Sequence, residues 1–132
     1  MRFLVDENLA KQIVAGLSGF GEHAEHVLAK FDPGAADEAW LEYAGTHHLT
    51  VVTRDLKIIK RPSEMAAFRH HSVGAFLLAG QKISGCEIIQ QVVRNWSKMK
   101  TLAANTERPF AFRVARSRRR ITRMPLNRTL QR

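Results

Sequence analysis

Apolar and polar positions alternate along this chain between short dense runs and longer periodic stretches. Phe3, Leu4 and Val5 make a run too short for a helix and read as a buried strand. Leu9, Ile13, Val14 and Leu17 then recur at helical spacing, with Asn8 the expected N-cap and Gly19 and Gly21 the stop. "HAEHVLAK" alternates weakly and is expected to give a second short strand, while the Pro-Gly pair makes "FDPGAAD" a loop. A helix is expected from Asp37, with Trp40, Leu41 and Ala44 on one face and Gly45 near its end. "LTVVT" is a strand by its β-branched residues, "RPSEMAAFRHH" a helix capped by Ser63, and "SVGAFLLAG" another buried strand. Ser84 and Glu87 form a capping box that opens a helix with Ile88, Ile89, Val92, Val93 and Trp96 facing the core. After Pro109, "FAFRVA" alternates, and "RRITRMPL" is expected to return beside it through a turn near Ser117 and Arg118.

Strands and helices in strict alternation predict an α/β fold with a central, mostly parallel sheet, since crossovers between successive strands are right-handed. Strands that are apolar without alternation fit a sheet covered on both faces, giving three layers with a small C-terminal β-hairpin. A length of 132 residues suits one domain, expected over residues 1–125, with 126–132 a flexible basic tail. No apolar run approaches the roughly 20 residues of a membrane span, so no membrane partner is expected. The single cysteine, Cys86, excludes an intramolecular disulfide, fits a cytoplasmic protein, and is expected to be a buried structural thiol.

Charge changes the picture. The net charge of +9 is uneven: residues 1–107 hold twelve Lys or Arg against twelve Asp or Glu, whereas residues 108–132 hold nine Arg and no acid. Such a cationic segment is the footprint of a polyanion partner, with nucleic acid favoured over an acidic protein surface or simple solubility.

The acids matter more. In an open parallel sheet, ligands sit beyond the carboxyl ends of the strands. Asp6 follows the first strand directly, Asp55 follows "VVT" closely, and Asp37 and Glu38 begin a helix. If these strands are neighbours, three or four carboxylates meet at one edge with few positive charges between them. Like charges that close favour a bound cation, and hard oxygen donors suit Mg²⁺ or Mn²⁺ completed by substrate phosphates. Each acid also has a plainer reading: Asp37 as a helix cap, Glu7 as a first-turn acid beside the helix dipole, Asp55 as a turn residue. The histidine pairs His23/His26, His47/His48 and His70/His71 lack cysteine partners or a HExxH frame, which leaves zinc without support.

The stretches "RFLVDEN", "ADEAWLEYA" and "VVTRDLKIIKRPSE", followed by "VGAFLLAGQKISG" and "RPFAFRV", resemble the PIN-domain ribonucleases, in particular the PIN-like branch allied to VapC toxins. The resemblance implies a metal-dependent endoribonuclease of single-stranded RNA, using Mg²⁺ or Mn²⁺, and the toxin of a toxin–antitoxin pair. It makes Asp6, Asp37 and Asp55 the catalytic and metal-binding acids, with Glu7 or Glu38 as substitutes. The family's fourth acid is missing from "RDLKIIK", which offers Leu56, Lys57 and Ile58. Arg54, Lys57, Lys60 and Arg61 are then expected to hold RNA phosphates beside the site, and Arg116, Arg118, Arg119 and Arg120 to add sequence-independent affinity. An antitoxin covering the site is the implied protein partner, and a homodimer stays open. Trp40 is read as core rather than as a base-stacking platform. Two other readings remain: a non-catalytic nucleic-acid-binding module, and a phosphoacceptor receiver domain with acids after the first and third strands.

Overall fold

The computed structural model describes residues 1–117 and 119–126. The elements run β1 (Arg2–Val5), α1 (Lys11–Gly19), β2 (His23–His26), a 3-10 turn (Val27–Ala29), α2 (Asp37–Thr46), β3 (Thr50–Thr53), α3 (Pro62–His70), β4 (Gly74–Leu78), α4 (Gly85–Asn105), β5 (Phe110–Val114) and β6 (Ile121–Arg123). They build one six-stranded sheet in the order β2-β1-β3-β4-β5-β6. All neighbouring pairs are parallel except β5 with β6, which pair antiparallel as the expected terminal hairpin.

Both faces are covered, which is why the central strands carry apolar residues at successive positions. On one face Leu4, Val51, Ala75, Leu77 and Ala111 meet Trp40, Leu41 and Ala44 of α2 and Met65 and Phe68 of α3. On the other, Phe3, Val5, Val52, Phe76, Leu78 and Phe112 meet Ile13 and Leu17 of α1 and Ile88, Val92 and Met99 of α4. The fold is therefore the three-layer α/β architecture that the hydrophobic pattern predicts, and Trp40 belongs to its core.

Four local expectations are corrected. Helix α1 begins after Ala10, without a side-chain cap, because Asn8 lies exposed in a turn closed by Leu9 N–H donating to the Asp6 carbonyl. Helix α3 begins two residues earlier than expected, with Arg61 at the cap position and Pro62 in its first turn; Ser63 is inside it. The buried line of α4 runs Ile88, Val92, Asn95 and Met99. Ile89 and Val93 stand one position on, about 100° around the helix, and are 45% and 58% exposed. Cys86, in the first turn of α4, is exposed rather than buried. Among the described residues no helix is long and apolar enough to cross a membrane. Arg118 and most of the expected basic tail, residues 127–132, lie outside the described residues. Leu126, at the start of that tail, packs against the core, and its carbonyl accepts from Arg69 Nη1 at 2.9 Å.

Candidate active site

The chain reverses direction across the sheet between β1 and β3: β2 lies to one side of β1, and every later strand lies to the other side. At such a switch point the connections leave the sheet in opposite directions, and a crevice opens beyond the strand ends. Asp6 and Asp55 stand there, following β1 and β3.

Asp6 is 4% exposed. Its backbone N–H donates to the Val52 carbonyl at 3.0 Å, which carries the β1–β3 ladder one residue past the strand and fixes where the side chain emerges. One carboxylate oxygen accepts from the Glu7 N–H at 2.7 Å, and the other from the Thr53 hydroxyl at 2.6 Å. Burial pushes the Asp6 carboxyl above its ordinary range, the charges of Asp55 and Glu7 add to the rise, and the two hydrogen bonds oppose it. Thr53 is itself fully buried, and its hydroxyl oxygen accepts from the Asp55 N–H at 3.0 Å. One hydroxyl thus spaces the two acids.

Asp55 uses one oxygen to close a turn, accepting from the Lys57 N–H at 3.0 Å. The plain turn reading is therefore correct for half of this side chain. Its other oxygen pairs with Arg61. Asp37, the first residue of α2 rather than its cap, accepts from Trp40 Nε1 at 3.1 Å. Its second oxygen lies 3.5 Å from Arg61 Nη2. Burial also raises the Asp37 carboxyl, the hydrogen bond from Trp40 opposes that rise, and the charges of Asp6, Glu64 and Asp55 add to it.

Asp6, Asp37 and Asp55 are thus brought within reach of one another's charge, and a fourth carboxylate joins them. Glu64, in the first turn of α3, accepts from Arg61 Nε at 3.1 Å. Sequence reasoning misses Glu64 because nothing local distinguishes it from an acid favoured by the helix dipole. Its clue is its position three residues after Arg61. Glu38 is exposed and makes none of these contacts. Glu7 turns towards the loop ahead of α2, where it accepts from the Gly34 N–H at 3.4 Å.

The expectation of few positive charges between the acids is also corrected. Arg61 bridges Asp37, Asp55 and Glu64, and the hydrogen bond to Asp55 comes first among the contacts that hold its guanidinium more firmly protonated than usual. Arg54 points elsewhere, donating to the Gly80 carbonyl at 2.8 Å and so tying the end of β3 to the end of β4. Lys57 and Lys60 are exposed at the rim. On the far side, His26 braces the Asp6 turn: its Nε2 lies 2.8 Å from the Leu9 carbonyl, and its Nδ1 accepts from the Leu28 N–H. That arrangement requires the neutral tautomer with the proton on Nε2.

In donor type the acids fit a divalent ion, because carboxylate oxygens suit Mg²⁺ and Mn²⁺. In placement they are held by Arg61: among the described residues no three His, Cys, Asp or Glu side chains stand together as a metal-binding group. A receiver domain would also need a hydroxyl residue and a lysine at the ends of two later strands, but β4 leads into Ala79 and Gly80, and β5 into Ala115 and Arg116.

No curated protein and no solved structure matches the chain. A family model does: that of the PIN-like domain covers residues 1–80, more than half of the sequence and all four carboxylates together with Arg61. The crevice at the β1–β3 switch point and the acids gathered there thus lie within the matched segment, and the chain belongs to the PIN-like domain family.

Proposed function

We propose that the protein is a metal-dependent endoribonuclease of single-stranded RNA, with Asp6, Asp37 and Asp55 as its catalytic acids. One observation carries the reading. Three aspartates from separate parts of the sequence converge on one crevice, and one of them is kept almost wholly buried although burial disfavours its charge. A fold stores such a cost at a working site more readily than at a cap. Asp6, Asp37 and Asp55 would hold Mg²⁺ or Mn²⁺, which supplies an activated water and charge stabilisation for phosphodiester hydrolysis. Thr53 sets the spacing of two of these acids, through its bonds with the Asp6 carboxylate and the Asp55 N–H.

The arginines support an RNA substrate. The turn after β5 carries Arg116, Arg119 and Arg120, all exposed, and it leaves the sheet at the same edge as the acids. It follows the second strand along from β3, about 10 Å away at the spacing of neighbouring strands. Arg116 also lies against Gly80, the residue whose carbonyl Arg54 holds. A strand of RNA drawn across this edge would meet arginines along its backbone before reaching the carboxylates. The sequence resemblance extends the reading to the toxin of a type II toxin–antitoxin pair, whose antitoxin would cover the acidic crevice.

A second reading has an observation of its own. Arg61 already neutralises part of the acid cluster, as a non-catalytic nucleic-acid-binding module would allow. Incubating a labelled mixed-sequence RNA, single-stranded or as duplex, with protein and Mn²⁺ or EDTA separates the two. Cutting of the single strand in Mn²⁺ that stops in EDTA supports the nuclease. Tight binding without cutting in either condition supports the binding module.

A further inference from the structure

Arg61 is a long cation placed where three acids would otherwise repel. It reaches Asp37, Asp55 and Glu64 with Nη2 and Nε, while its side chain is still 40% exposed to solvent. It sits at the start of α3, in a loop that also presents Lys57 and Lys60. A guanidinium paired with carboxylates at a solvent-facing mouth has an obvious competitor, because phosphate offers the same two-point acceptor geometry.

We propose that Arg61 is a built-in counter-ion that holds the acid cluster closed to divalent ions, and that a nucleic-acid phosphate draws it off and so opens the cluster to metal. The inference rests on the nuclease reading and adds its regulation. Arg61 and a divalent ion compete for the same oxygens of Asp37 and Asp55, so each weakens the binding of the other. A phosphate that takes Arg61 removes that competition. Metal and substrate are then linked: each raises the affinity of the protein for the other by the same factor. A free enzyme of this kind stays metal-poor and inert, and assembles its site on the substrate.

The test is direct binding of Mn²⁺ to the full chain, read from the electron paramagnetic resonance signal of the free ion, without any cleavage assay. Wild type, Arg61→Gln and Arg61→Lys are compared, each with and without a single-stranded oligodeoxynucleotide, and ions held by the oligonucleotide alone are subtracted. The expected result is Mn²⁺ binding about tenfold or more tighter in Arg61→Gln than in wild type. Arg61→Lys, which keeps the charge but not the two-point bridge, should fall between them, and it carries the comparison if the glutamine variant does not fold. The oligonucleotide should tighten Mn²⁺ binding in wild type by more than it does in Arg61→Gln. Equal affinities in wild type and both variants would overturn the counter-ion role while leaving the metal-dependent nuclease intact. Absence of Mn²⁺ binding in every variant, with or without oligonucleotide, would overturn both.

Discussion

Replacing Asp6 by asparagine tests whether the fold keeps this carboxylate against its own stability. The side chain is 4% exposed, and its oxygens accept from the Thr53 hydroxyl and the Glu7 N–H. Those bonds favour the charged form, yet burial outweighs them, so the folded protein holds the Asp6 proton more tightly than the ordinary 3.8 of a free aspartate. Each unit of such a rise corresponds to ~1.4 kcal/mol of folding free energy lost once the group is ionised in both states. Asparagine has nearly the same shape. Its oxygen can serve the Glu7 N–H, and its amide can donate to the Thr53 oxygen, at the cost of a weaker pair of hydrogen bonds. The balance favours the variant at pH 7.5, read as a higher unfolding free energy and a higher melting midpoint. The sign with pH follows from the raised value. Wild type gains stability as pH falls through the folded pKa towards 3.8, because the native state takes up the proton first. The advantage of Asp6→Asn should therefore shrink in acid and be gone at about pH 4. Urea unfolding of both proteins in EDTA, at pH 7.5 and pH 4.5, measures it. A variant destabilised by 1 kcal/mol or more at pH 7.5 would refute the reasoning and make Asp6 a structural acceptor.

Other outcomes follow from neighbouring contacts. Thr53→Val keeps the shape but leaves the Asp55 N–H and one Asp6 oxygen without their partner, and should lower unfolding free energy by about 1–3 kcal/mol in urea titration. Replacing Arg116, Arg119 and Arg120 together with glutamine should weaken RNA binding and flatten its dependence on salt by up to about three in the log–log slope, measured by fluorescence anisotropy across a KCl series, with the melting midpoint unchanged. Gly45→Ala would drive a methyl group into the His71 carbonyl where α2 meets α3, and should cost about 1–3 kcal/mol, read as a lower melting midpoint.

Much of this fold is legible in the sequence because burial on both faces leaves a plain signature. "FLV", "TVV" and "AFLL" are strands by apolar run and branching, and the aspartates after the first two are conspicuous as acids beside a core. Position relative to a strand end is a local property, so the residue order alone puts Asp6 and Asp55 on one edge. Asp37 needs one further inference, that a helix between parallel strands starts near that edge. What stays hidden depends on side-chain direction. Arg61 reads as a phosphate contact because the course of a long, flexible side chain is not encoded in its neighbours in sequence, and the same holds for Arg54. Glu64 and Thr53 belong to the site through contacts with residues three and 47 positions away. Ile89 and Val93 read as core because α4 is amphipathic along its length. A helix on the outside of a sheet buries only the line that meets it, and with Phe20, 81% exposed, these residues leave an apolar strip between α1 and α4. Cys86, in the first turn of the same helix, is likewise off its buried line.

The central claim is that Asp6, Asp37 and Asp55 act together on RNA. Its most direct test is single-turnover cleavage of a labelled single-stranded RNA in Mn²⁺ by wild type and by Asp6→Asn, Asp37→Asn and Asp55→Asn, each first verified as folded by its cooperative melt. The account predicts that wild type cleaves and that each substitution slows cleavage by about a hundredfold or more, with the double variant Asp6→Asn/Asp55→Asn little worse than either single one, as residues acting as a unit behave. Cleavage that persists near the wild-type rate in any of the three, or no cleavage by wild type, would contradict it.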